Sequence, residues 1–375
     1  LQRAAGKRSF AFAIAKVRQA VIFTPIGRRR KTERQDMAAA FDVVGIGNAL
    51  VDVVSHIEDG FLQEQKLAKG TMTLVDSHTA DFLYGKMPPG VEVSGGSCAN
   101  TMAALASLGG KGAYIGKVRD DYFGQVFRHD MNAIGVQFST PASPDGPPTG
   151  RCLVLVSPDA QRTMCTDLGA ASALGVGDLN AGVIQSGRVT YMEGYLFDRP
   201  DAQRAFVRAA QYAHDSGHKV SVTLSDPVCV ERHRDAFREL VADHIDILFA
   251  NEEEIMSLYQ ATVFDEAIQK LHAQGHVDIA CLTRSEKGSV IIHGDEVHVI
   301  DAEPIRAVVD TTGAGDAYAA GFLYGYTQGF DLGLCGRIAA IAAGEVISHN
   351  GARPEQNLAA LVAQKLGSLP AKPKE

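Results

Sequence analysis

The stretch Val309-Asp310-Thr311-Thr312-Gly313-Ala314-Gly315-Asp316-Ala317-Tyr318-Ala319-Ala320-Gly321-Phe322-Leu323 sets two acids around a glycine-rich turn and then runs into an apolar, alanine-rich segment. Gly313 and Gly315 let the backbone turn without Cβ clashes. A helix starting here leaves the N–H groups of Gly313, Ala314 and Gly315 without intrahelical acceptors, at an end that carries positive partial charge. Such an end suits a phosphate. Asp316 falls in the first turn, where its carboxylate can face whatever sits over the cradle and stay ionised at neutral pH. A carboxylate is a weak base, but phosphoryl transfer has a loose transition state in which positioning counts for more than basicity. The plainer reading is a strand-to-helix corner with an acid at its start.

Around this stretch the chain alternates short β-rich runs with helical ones. Strands are expected over 41–47, 113–118, 189–193, 220–224, 245–250 and 279–282. Helices are expected over 99–108, 122–134, 202–216, 231–242, 252–258, 314–328 and 334–348, with a hairpin over 289–300. Repeated strand–helix units argue for an α/β fold: a doubly wound, mostly parallel sheet flanked by helices. Strand-like segments at about 50–75 and 150–167 break that rhythm and read as a small β-sheet lid on a main domain over 37–368.

The chain has 375 residues, 46% of them hydrophobic and 21% charged, with no Trp. No apolar run approaches the roughly 18–20 residues that span a bilayer, so no membrane partner is expected. The net charge of −8 argues against a general nucleic-acid binder. That charge is uneven: residues 1–36 hold ten basic and two acidic residues, a net of +8, leaving −16 on the remainder. The basic extension reads as upstream sequence, as an Arg-rich targeting peptide, or as a basic arm. The opening Leu, with Met37 ahead of the first strand, favours the first. The tail after Pro370 reads as disordered. Six scattered cysteines without a C-x-x-C pair point to a reduced, cytoplasmic compartment and to no zinc site.

Gly45-x-Gly47 is a weak dinucleotide signal, because position 50 is Leu where a third glycine is needed. Stronger evidence comes from three motifs in order: Ser94-Gly95-Gly96-Ser97-Cys98-Ala99-Asn100, then Asn251-Glu252-Glu253-Glu254, then Asp310-Thr311-Thr312-Gly313-Ala314-Gly315-Asp316. Together they resemble the signature of the ribokinase-like, phosphofructokinase-B-type family of carbohydrate and nucleoside kinases, over about 41–366. The resemblance implies ATP as phosphoryl donor, Asp316 as catalytic base and the Gly313-Ala314-Gly315 amides as anion hole. It implies that Asn251 and Glu254 order Mg2+ and phosphates through water. Glu254 just past a strand end suits a hard, hydrated cation; the plainer reading is a helix N-cap with acids in its first turn. Thr283, Ser285 and Gly288 resemble the family's nucleotide loop, and the helix end carrying Asn350 would pass the adenine of ATP. Some members need K+, for which Asp310 and the carbonyls near 348–351 are candidate ligands.

For the acceptor, Gly47-Asn48-Ala49-Leu50-Val51-Asp52 resembles a segment of the adenosine-phosphorylating members. That implies Asn48 and Asp52 near a nucleoside, with Asp52 accepting from two vicinal ribose hydroxyls. Gly95, Gly96 and Asn100 would complete the ribose site. At period 2, Met164, Thr166 and Leu168 share one strand face that could wall a purine, and Arg162 near the turn could reach the transferring phosphate. A solvated strand-end acid at Asp52 and a core Met at 164 are the plainer alternatives. The expectation is therefore transfer of the ATP γ-phosphoryl to the 5′-hydroxyl of adenosine, by a monomer or homodimer. The alternatives are a sugar kinase of the same family (ribose, fructose or a keto-deoxy sugar acid) and a non-catalytic nucleoside-binding regulatory protein.

Overall fold

The computed structural model describes residues 39–370; the basic extension and the last residues of the tail lie outside them. The main sheet has nine strands in the order β14-β13-β12-β11-β10-β9-β1-β5-β6. They are β1 (Phe41–Ile46), β5 (Gly112–Ile115), β6 (Val136–Phe138), β9 (Gly187–Glu193), β10 (Lys219–Thr223), β11 (Ile247–Asn251), β12 (Ile279–Thr283), β13 (Ser289–His293) and β14 (Glu296–Ile300). From β6 to β12 every pairing is parallel. Helices cover both faces, so the central strands carry apolar runs such as Val43-Val44-Gly45-Ile46 in β1. The hairpin expected over 289–300 is present as β13 and β14, which add an antiparallel edge.

The chain order reverses at β1. The strand lies between β5, reached early, and β9, reached much later. In open α/β sheets ligands bind outside the carboxyl ends of the strands at such a reversal. Here those ends are Ile46 of β1 and Glu193 of β9, next to each other in the sheet.

A second sheet of five strands, β3-β8-β7-β2-β4, stands beside them. It comprises β2 (Leu50–His56), β3 (Met72–Leu74), β4 (Val91–Gly95), β7 (Thr149–Val156) and β8 (Arg162–Gly169). The sequence segments at 50–75 and 150–167 supply four of these strands: 150–167 is a local hairpin of β7 and β8, whereas the two strands of 50–75 do not pair with each other. β2 pairs with β4 and β7, whereas β3 pairs with β8. The fifth strand, β4, ends in Gly-Gly and reads as a turn from its sequence alone.

The helix expected over 231–242 is two helices, Pro227–Arg232 and Arg234–His244, separated at His233. Pro227 sits at the first helical position, where its fixed φ and missing N–H cost nothing. The late helices Ala314–Thr327 and Leu332–Val346 lie within two residues of expectation. No helix among the described residues is long and apolar enough to cross a membrane, and all six cysteines are buried and free.

Candidate active site

One cavity of about 2210 Å³ opens between the two sheets and the carboxyl ends of the main-sheet strands. Every site residue expected from the sequence lines it except Gly95 and Asp310. Those two touch residues that do: Gly95 packs on Asp52, and Asp310 pairs with Arg162.

Two helix starts face each other at its centre. Gly313 caps the helix Ala314–Thr327 at φ 79°, a conformation costly for a side chain. Among the described residues the N–H groups of Gly313 and Gly315 have no protein acceptor, as an anion hole requires. The Ala314 N–H departs from expectation: it donates to the Thr311 carbonyl at 3.2 Å, closing the turn. Opposite, the helix Ser97–Ser107 begins after Gly96. Ser97 Oγ donates to Asp316 Oδ1 at 2.6 Å, and Asn100 Nδ2 donates to Asp316 Oδ2 at 3.3 Å. Burial pushes the Asp316 carboxyl up to about 6, against these two hydrogen bonds. It stays mostly ionised at pH 7, but burial outweighs the helix end that the sequence reading credited.

The register of the second sheet sets one wall. Asp52, Cys152 and Thr166 lie side by side on neighbouring strands, and Val54, Val154 and Met164 form the next row. Alternation puts both rows on the cavity face. The result is a carboxylate beside an apolar surface. Asp52 needs Gly95 opposite its flank, because a Cβ there would sit 2.3 Å from the carboxylate. Burial raises the Asp52 carboxyl to about 6, with Arg353 and then Arg162 holding it down.

The far end lies at β11 and β12, where Asn251 and Thr283 are paired neighbours. Asn251 and Glu254 form a reciprocal capping box. The Glu254 N–H donates to Asn251 Oδ1 at 2.8 Å, and the Asn251 N–H and Nδ2 donate to the two Glu254 oxygens at 3.0 and 2.7 Å. The structure thus shows the N-cap reading, on the same two residues that the family resemblance assigns to ordering a cation. Glu254 is held rigidly at the cavity wall, and burial pushes its carboxyl up to about 7. Among the described residues no group of three ligating side chains could cage a metal.

Asp310 anchors the turn. Oδ1 accepts from the Thr312 N–H and Oγ1, while Oδ2 accepts from the Gly351 N–H at 3.0 Å and meets Arg162 Nη1 at 3.0 Å. Burial alone would raise this carboxyl, but Thr312, Gly351 and Arg162 together hold it below the usual range.

Three residues enter the site that the sequence reading did not select. Ser97 stood inside a quoted motif, and its position three residues before Asn100 on a helix is the only local signal. Glu193, 1% exposed, accepts from Asn48 Nδ2 at 2.6 Å and from the Cys98 N–H at 2.9 Å. Burial pushes its carboxyl up to about 7. Arg353, beyond the last large helix, donates from Nε to Asn100 Oδ1 at 3.2 Å.

A doubly wound sheet with an anion-binding helix start and a carboxylate in its first turn is the architecture of a phosphotransferase acting on an alcohol. The chain belongs to the pfkB family of carbohydrate kinases, whose family model matches residues 79–358. ATP is the phosphoryl donor that this membership implies. Among solved structures, the chain is similar to the adenosine kinase from Sinorhizobium meliloti: 45% identical, TM-score 0.80, covering 87% of this chain and 100% of that one. It is equally similar to a probable sugar kinase protein from Rhizobium etli CFN 42, at 45% identity and TM-score 0.80, covering 88% of this chain and 99% of that one. The adenosine kinase of Saccharomyces cerevisiae is 28% identical over 312 residues, 77% of this chain and 90% of that protein.

Proposed function

We propose that the protein phosphorylates the 5′-hydroxyl of adenosine, giving AMP and ADP. The observation that carries this reading is the second-sheet wall. Asp52 there can accept two vicinal hydroxyls, and it stands beside an apolar surface of Val54, Val154 and Met164 large enough for a purine face. A bare sugar would leave that surface wet. The likeness to the Sinorhizobium meliloti adenosine kinase supports the same reading.

In the reaction the 5′ oxygen attacks the γ-phosphorus, the bond to the β-phosphate oxygen breaks, and the hydroxyl proton passes to Asp316. Ser97 and Asn100 aim the carboxylate. The free N–H groups at the helix start take up charge on the phosphoryl oxygens, the largest kind of contribution a fixed dipole makes. Arg162 is the candidate clamp on the transferring group. Mg2+, when bound, would neutralise the phosphate oxygens, with Asn251 and Glu254 holding its waters.

The test is a phosphorylation screen with Mg·ATP against adenosine, inosine, guanosine, ribose and fructose. Adenosine is expected to give the highest kcat/KM. Higher values for ribose or fructose would replace the reading with that of a sugar kinase, which the similarity to the Rhizobium etli protein also supports.

A further inference from the structure

Asn100 bonds on both sides. Its Oδ1 accepts from Arg353 Nε at 3.2 Å, and its Nδ2 donates to Asp316 Oδ2 at 3.3 Å. An amide can turn end for end with almost no change in shape, so its orientation is chosen by its neighbours. A guanidinium has donors and no acceptor, and an ionised carboxylate has acceptors and no donor. With Arg353 present only one orientation satisfies both sides. A flipped amide would set donor against donor at Arg353 and acceptor against acceptor at Asp316.

We infer that Arg353 is a positioning residue of the phosphoryl-transfer site: it fixes which way the Asn100 amide points, and so keeps an N–H on the Asp316 carboxylate. Without it only the Asp316 carboxylate selects the orientation, so the flipped amide, which would push the base out of line, is populated more often. The loop carrying Arg353 is built to hold it. Gly351 on one side donates to Asp310, and Glu355 and Gln356 on the other donate to Glu345 Oε1 at 3.1 and 2.9 Å. Pro354 follows Arg353 and disfavours a helical backbone there. The Arg353 Nη2 reaches the Met131 sulfur at 4.0 Å, away from Asn100, so Nε makes the contact to the amide, while the charge of the guanidinium also acts on Asp52.

The inference rests on Asp316 acting as the base, so its test has two readouts. The first is kinetic, with the full chain, Mg·ATP and adenosine. Arg353→Gln is expected to lower kcat about tenfold, the size of a single coupled contact, with the dissociation constant for adenosine within about twofold when measured well above the pH at which Asp52 titrates. Added to Asn100→Ala, it should cost nothing further, because residues acting as one unit are not additive. Losses that multiply, or a loss confined to adenosine binding, would overturn the inference and make Arg353 a direct contact to the acceptor. Arg353→Lys keeps a donor without an acceptor and should retain more kcat than Arg353→Gln. If Arg353→Gln does not fold, equal losses for Arg353→Lys and Arg353→Met decide against the inference, and a smaller loss for Lys decides for it.

The second readout needs no substrate. The side-chain N–H pair of Asn100 in a 15N–1H spectrum should move in Arg353→Gln and in Asp316→Asn. An unmoved pair in Arg353→Gln would refute the positioning role. This holds even if the wild-type protein turned over no adenosine, which would remove the proposed function alone.

Discussion

Asn48 and Glu193 join the two sides of the chain reversal. Nδ2 of Asn48, just past β1, donates to Oε1 of Glu193, the last residue of β9, at 2.6 Å, and Glu193 Oε2 takes the Cys98 N–H at 2.9 Å. One buried carboxylate thus sets the Asn48 amide and the start of the helix that carries Ser97 and Asn100. Glu193→Gln tests the link. The new amide can keep its oxygen on Cys98 only by turning its NH2 toward Asn48, which then flips to offer its carbonyl. The fold should survive, with a melting temperature within a few degrees of wild type (about 1 kcal/mol for a rearranged hydrogen bond). The adenosine KM should rise about tenfold, because Asn48 now presents a donor to the cavity in place of an acceptor. Steady-state kinetics beside a thermal melt check both halves.

Asp316→Asn removes the proposed proton acceptor and keeps the shape. Loss of general-base catalysis is expected to cost about 10²–10⁴-fold in kcat. Adenosine binding, measured by calorimetry, should change little, because Asp52 and the apolar wall are untouched. Turnover near the wild-type value would end the assignment of Asp316 as base.

The acid side of the pH profile follows from the same carboxyl. Burial raises Asp316 to about 6, so kcat should fall as pH drops through about 6. Ser97→Ala removes a hydrogen bond that favours the charged form, and should move the limb to higher pH. Stability runs the other way. Asp52, Asp316, Glu193 and Glu254 all titrate above their unfolded values, at about 6 or 7. The folded state therefore binds more protons between the unfolded and folded pKa values. The stabilisation these groups contribute is present below about pH 4 and lost as pH rises through 6 to 7. The melting temperature should fall between pH 5 and pH 8, less steeply in Glu193→Gln. An unchanged slope in that variant would mean that Glu193 does not carry the linkage.

What the sequence made legible was local. The parallel sheet followed from the strand–helix rhythm, and the face bearing Met164 and Thr166 followed from two-residue alternation within one strand. The glycine-rich helix start followed from seven consecutive residues. What stayed hidden depends on partners far along the chain. Glu193 meets Asn48 across 145 positions, and Arg353 meets Asn100 across 253. No window of periodicity or spacing contains such pairs. β4 was missed for another reason: Val-Glu-Val-Ser-Gly is short and runs into a second glycine, so turn chemistry outweighs strand propensity until β2 pairs with it. Asp310 and Asp316 look alike as two acids flanking a turn, and only tertiary contacts separate them. One faces a guanidinium, the other two neutral donors.

Gly95→Ala should reproduce the acceptor defect of Asp52→Ala without touching a polar atom. The added methyl would sit 2.3 Å from the Asp52 carboxylate and must push it aside. Both variants are expected to raise the adenosine KM about tenfold or more, the cost of losing a hydrogen bond made by a charged group. kcat at saturating adenosine should fall far less than in Asp316→Asn. An unchanged KM in Asp52→Ala would remove Asp52 from the ribose site, and a normal KM in Gly95→Ala alone would mean that the strand shifts to absorb the methyl.

Arg162 at the start of β8 and Asp310 beside the anion hole tie the second sheet to the catalytic turn. They lie 3.0 Å apart with side chains 12% and 11% exposed. Removing Arg162 leaves Asp310 with its Thr312 and Gly351 donors alone, at a cost of about 1–3 kcal/mol for a lost hydrogen bond between charged groups. Arg162→Ala should therefore lower both stability and kcat, since the same guanidinium is the candidate phosphate clamp. Asp310→Asn separates the two effects. It frees Arg162 for the phosphate but loosens the turn that Thr312 and Gly351 anchor on the carboxylate. A moderate loss of kcat, about tenfold, is expected there, with the double variant no worse than Arg162→Ala. If the two losses multiply instead, the pair is an incidental contact, and the second sheet is joined to the catalytic turn by other means.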